Sequence, residues 1–145
     1  MSTSVAQAAP PTASAIVMPL QGTFRACDFT ELSYVGPRGS AQVVARVASV
    51  GSGTVVASID VAAAEPDARY DVRVIQMPRP SIGCAPGAPG VLSGALQTND
   101  VGAGNILVQG PRQSGANGVW VFVERAGEYS QTPAEYYTTT FVASI

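Results

Sequence analysis

From Ser40 onward, apolar and polar residues alternate with a period of two through much of the chain. In GTVVASIDVAA, Val55, Ala57, Ile59 and Val61 alternate with Thr54, Val56, Ser58 and Asp60. In RYDVRVIQMP, Tyr70, Val72 and Val74 alternate with Arg69, Asp71 and Arg73. Successive side chains of a strand point to opposite faces, so each stretch predicts a strand with one face turned inward. SAQVVARVASV predicts a further strand, joined to the next by GSG in a tight hairpin. VLSGALQT, NILVQG, NGVWVFVERA and EYYTTTFVASI continue the series, with Gly, Pro, Asn and Asp between them. PRPSIGCAPGAPG carries Pro and Gly too densely for a helix or a regular ladder and predicts a long loop. No window sustains helical periodicity, and no internal repeat is present. The pattern predicts an all-β fold, an antiparallel β-sandwich of Ig-like or Greek-key type with about 7–9 strands.

The N-terminus breaks this pattern. Its first fifteen residues mix Ala, Ser, Thr and Pro without alternation, and alone they bury almost nothing. The expectation is an extended N-terminal arm over residues 1–20 and a single β-sandwich domain over residues 21–145, one domain being the norm for 145 residues. The start has no cationic segment, and its longest apolar run, Ala15 to Leu20, is shorter than a signal-peptide core or a membrane span. Neither a Sec leader nor a membrane partner is expected.

Composition narrows the chemistry. Apolar residues make up 46% of the chain and charged residues 12%, a charged share roughly half that of ordinary soluble domains. Large neutral surfaces are therefore left to face a partner. The eight cationic residues are all Arg and are scattered, so there is no basic stripe for nucleic acid. The absence of His and Lys removes imidazole as base or metal ligand and lysine as Schiff-base former.

The individual motifs divide between structure and chemistry. In QTNDVGAGNILVQG, Asn99, Asp100 and Asn105 supply oxygens, but the closing Glu of a calcium loop is missing. The same residues with Gly102 and Gly104 suit a hairpin loop. Cys27 and Cys84 are the only cysteines and cannot build a zinc site without His or a second pair, so they form either a disulfide or two buried thiols. A nucleophilic Cys84 has no base or cation beside it in sequence. The carboxylate pairs Asp28 with Glu31 and Glu124 with Glu128 read as solvated loop charges. In VWVFVE, Val119, Val121 and Val123 point one way and Trp120 and Phe122 the other. Either this strand is central and covered twice, or Trp120 and Phe122 meet the arm or another chain. Tyr136, Tyr137 and Phe141 add aromatic anchors near the C-terminus, and with Trp120 and Phe122 they form the candidate interface. No catalytic, cofactor-binding or metal-binding residue is assigned, and no cofactor is expected.

FRACDFTELSY, YDVRVIQMPRP with the following Cys, LQTNDVGAGNILV and GVWVFVE, together spanning roughly residues 22–145, resemble small β-sandwich proteins of actinobacteria and their phages. The resemblance implies no catalytic motif. The strand-turn pattern also resembles the copper/zinc superoxide dismutase sandwich, whose metal chemistry is out of reach without His. Phage capsid decoration proteins are similar in plan, a compact β domain with an anchoring arm. The leading expectation is therefore a non-enzymatic structural protein of an assembly, a virion component that binds capsid or tail subunits and forms a homo-oligomer. An exported actinobacterial cell-surface or binding module is the alternative, and a hydrolase using a carboxylate pair is the third.

Overall fold

The computed structural model describes residues 15–33, 39–50, 53–127 and 133–145. Nine strands run through them: β1 (Ile16–Gln21), β2 (Gln42–Val50), β3 (Thr54–Ala62), β4 (Arg69–Met77), β5 (Val91–Gln97), β6 (Gly104–Pro111), β7 (Gly118–Arg125), β8 (Glu135–Thr139) and β9 (Ala143–Ser144). All pairings are antiparallel, and the described residues contain no helix. The all-β expectation holds. The strands form one nine-stranded sheet in the order β5-β4-β7-β8-β1-β2-β3-β6, with β9 added on β7. This sheet curls into a nearly closed barrel, so the two layers of the expected sandwich are two halves of one continuous ladder.

β1 is the hinge between the halves. Ile16 to Pro19 pair with β2, whereas Leu20 and Gln21 pair with β8. Pro19, which has no N–H to give a ladder, stands where the partner changes. Met18 and Leu20 face the core and are buried. The arm expected over residues 1–20 is thus corrected at its end, because residues 16–20 form an internal strand. Residues 1–14 lie outside the described residues, as do Gly51 and Ser52 of the expected GSG hairpin, whose flanks pair as Val50 with Thr54.

The opposite side of the barrel closes by side chains. No ladder joins β5 to β6; instead Leu92 lies over Gly110 and Ile106 over Gly94. A Cβ on Gly110 would stand 2.6 Å from Leu92 Cδ2, and one on Gly94 would stand 2.9 Å from Ile106 Cδ1. The missing side chains let the two edge strands approach without hydrogen bonds.

β7 has two buried faces. Val119, Val121 and Val123 meet β2, β3 and β4 residues in the interior, with Ile59, Val47 and Val72 among them. Trp120 and Phe122 join a second cluster with Ile75, Cys84, Val91 and Tyr136 on the outside of the same half-barrel. Two segments without regular strands cover this outer cluster: residues 22–33, the strap, and residues 78–90, the Pro/Gly loop. The inward assignment of β3 is testable by urea denaturation of the oxidised protein. Ile59→Ala should cost about 2–5 kcal/mol, and Leu107→Ala, on the outer face of β6, at most about 0.5 kcal/mol. Equal costs would contradict this division of faces.

Candidate functional site

The strap is a miniature hairpin. Leu32 N–H donates to the Phe24 carbonyl at 2.8 Å and Ala26 N–H to the Thr30 carbonyl at 2.9 Å, with Arg25 and Glu31 bridged between them. At its tip Phe29 takes a φ of 75°, a left-handed conformation that costs a residue with a Cβ. That turn lays the Phe29 ring edge-on to Trp120, with centroids 5.4 Å apart. The Arg25 guanidinium carbon sits over the Phe29 ring, 3.9 Å from its centroid. Trp120 Nε1 donates to the Cys27 carbonyl at 3.3 Å, which satisfies the one polar atom of a fully buried indole.

The Pro/Gly loop approaches from the other side. Cys27 N–H donates to the Ser81 carbonyl at 3.1 Å, and Cys27 and Cys84 form a disulfide with Cα atoms 5.7 Å apart. The choice between bridge and thiols is thereby decided, and neither sulfur is available as a nucleophile. Arg79 holds the loop by donating to the carbonyls of Gly83 and Pro89 at 3.0 and 3.1 Å.

Between strap and loop lies a groove of 440 Å³, within the usual size of small-molecule sites, about 300–1,000 Å³. Phe24 and Phe122 and the disulfide line it, Leu32 and Ile82 flank it, and Arg25, Arg73 and Glu124 bring charge. Arg73 extends over the Phe122 ring at 4.4 Å. Its Nη1 donates to the Cys84 carbonyl at 2.8 Å, and its Nη2 reaches Glu124 Oε2 at 3.5 Å. Its Nε is buried without an acceptor. Burial pushes the Arg73 guanidinium below its ordinary value, and Glu124 pulls it partly back. Burial also raises the Glu124 carboxyl, against the opposing pull of Arg73.

A second polar cluster closes one end of the barrel. Glu135 Oε1 accepts from Tyr70 Oη at 2.7 Å and from Arg125 Nε at 2.7 Å, and Oε2 accepts from Tyr137 Oη. The tyrosine oxygens themselves accept backbone N–H groups, Tyr137 from Ala41 and Tyr70 from Glu65, each at 3.1 Å. Burial alone would raise the Glu135 carboxyl, but the bonds from Tyr137, Arg125 and Tyr70 outweigh it and hold the group below its ordinary value. Burial and the Glu135 bond push the Tyr137 hydroxyl up. These five bonds make the cluster a structural knot linking β4, β7 and β8 to the 39–41 and 63–65 segments.

The expected interface residues are placed otherwise. Trp120, Phe122, Tyr136 and Tyr137 are buried within this chain, and only Phe141, 38% exposed, reaches water. For Trp120, Phe122 and Tyr136 the reason is the second layer, which supplies from the chain itself the cover an outside partner was expected to give, whereas Tyr137 points into the barrel. In the 97–110 stretch, Asn99 Oδ1 accepts from Val101 and Ala103 N–H at 3.0 and 2.9 Å, and Asn105 stands opposite Asp60 on the sheet. Asn99 is therefore the pivot of a turn. Asp28 bonds within the strap to Thr30 N–H, and Glu124 pairs with Arg73. Glu128 lies outside the described residues. Sequence reasoning missed Glu135, Arg73 and Arg25, whose partners are far away in the chain.

No family model matches the chain, and neither the curated proteins nor the solved structures contain a match to it.

Two outcomes follow from this geometry. Replacing both cysteines by Ser should lower stability by about 4 kcal/mol on the loop-entropy account and loosen the environment of Trp120, read as lost near-ultraviolet circular dichroism. Glu135 is depressed in the fold, so its contribution is complete above the unfolded glutamate value of about 4.3 and is lost as pH falls through the lower folded value. Glu135→Gln should cost about 2 kcal/mol at neutral pH and flatten the acid limb of the stability profile. An unchanged acid limb would remove the knot from the account of acid stability.

Proposed function

We propose that the chain is a non-enzymatic binding domain that works outside the reducing cytosol, exported to the cell surface or beyond. The observation that carries this reading is the Cys27–Cys84 bridge, which ties together the two segments flanking the groove. Disulfides persist in oxidising surroundings and are rare in the cytosol. The groove supports binding rather than turnover, since its acid, Glu124, is engaged by Arg73 and its cysteine is oxidised.

A virion decoration protein is the second reading. It draws on the outer face of β1, β2, β3 and β6, where Val17, Val50 and Leu107 are exposed and the charges reduce to one Arg46–Asp60 pair at 3.0 Å. Such a face suits a neighbouring subunit. The bridge weighs toward export, because capsid assembly begins in a reducing cell.

Fractionation of the producing cells with alkylation of free thiols separates the two. Export predicts oxidised protein in envelope or medium. Co-sedimentation with phage particles would transfer the assignment to the virion, and a cytosolic pool with both thiols free would overturn the proposal.

A further inference from the structure

The groove beside the disulfide combines apolar walls with an excess of cationic donors. Leu32 and Ile82 are 41% and 78% exposed on its flanks, and Phe24 and Phe122 lie between them. Of the charged groups on its lining, two are guanidiniums and one is a carboxylate. Arg25 commits Nε to Thr138 Oγ1 at 3.2 Å and Nη1 to the Phe29 carbonyl at 3.1 Å, which leaves Nη2 as a donor. Arg73 gives Nη1 to the loop and holds Glu124 only at 3.5 Å. With two guanidiniums and one carboxylate the lining carries a cationic excess, and Asp71 acts on Arg73 from the same strand. Glu31, which acts on Arg25 across the strap, is exposed, and water screens it.

We propose that this groove binds a small carboxylic acid with an apolar tail. The tail lies between Leu32 and Ile82 against the Phe24 ring, and the carboxylate accepts from Arg25 with Arg73 behind it. A planar guanidinium is matched to a carboxylate by geometry as well as charge. A cationic amphiphile would meet two like charges, and a short acid would leave the apolar walls wet. The inference rests on the reading of the chain as a binding domain and names the ligand class of that site.

Calorimetric titration of the oxidised full chain with decanoate, acetate and decyltrimethylammonium, each below micelle formation, tests this. Decanoate should bind saturably, one per chain, and the other two should not. Arg25→Gln should weaken decanoate about tenfold, the scale of one charge-assisted contact. Ile82→Asp changes a side chain that supports no packing, so it should fold normally and weaken decanoate at least as much. If Arg25→Gln fails to fold through loss of its Thr138 contact, Ile82→Asp alone decides. Absent decanoate binding, equal binding of the ammonium amphiphile, or binding untouched by Ile82→Asp would overturn the proposal. These failures in a chain found oxidised outside the cell remove the ligand class alone, whereas cytosolic free thiols remove the exported-domain reading on which it rests.

Discussion

β7 carries apolar side chains on both faces, and a sheet strand with two apolar faces requires two covers. The first comes from the curl of the sheet itself, which brings β2 and β3 over Val119, Val121 and Val123. The second has to be built from chain that is not strand. The strap and the Pro/Gly loop are too short and too rich in turns to hold themselves in place by ladders, and ordering each residue costs about 1–2 kcal/mol of backbone entropy. Burying Phe24, Phe29 and Trp120 offsets part of that cost, and the disulfide removes more of it by restricting the unfolded chain. The rest of the outer half-barrel, the groove included, depends on this covered face.

Scarcity of charge makes the use of arginine informative. Arg25, Arg73, Arg79 and Arg112 each donate to backbone carbonyls in segments that lack ladder partners: Phe29, Cys84, Gly83 with Pro89, and Ala116 with Ile145 respectively. A loop that covers an apolar surface turns some carbonyls away from water, and these must be paired. A guanidinium can serve several carbonyls at once from a fixed fork, whereas an ammonium acts as a single flexible point. The all-arginine complement thus fits a fold whose irregular layer is held by side-chain donors.

The inward faces of β3 and β4 were legible from alternation, whereas the cover over the outer side of β4, at Arg73 and Ile75, was not. β1 was not, because Pro19 interrupts a short run and its neighbours up to Ser14 carry no alternation. The double burial of β7 could be read from VWVFVE, but the source of its outer cover could not, since strap and loop are composed of ordinary turn residues. Cysteine pairing depends on a Cα separation of 5.7 Å that two isolated positions do not encode. Glu135 was invisible for the same reason: Tyr70 stands 65 residues away, and nothing local distinguishes a buried carboxylate in a knot from a solvated one.

The location of the groove follows from how the irregular segments are laid on the sheet. At one end of the barrel the Glu135 knot leaves a smaller recess of 190 Å³, its oxygens committed to β4, β7, β8 and the 39–41 and 63–65 segments. The seam between β5 and β6 is sealed by Leu92 and Ile106 packed onto glycines. The interior is lined by the aliphatic residues of the inner cluster with Tyr70 and Tyr137, and the outer face of β1, β2, β3 and β6 exposes Val17, Val50 and Leu107. The groove lies where the backbone is irregular, between the two stapled segments over β4 and β7. The same missing ladder bonds that made the disulfide and the arginines necessary leave space between strap and loop, so the groove and its cationic lining are consequences of how the second cover is built.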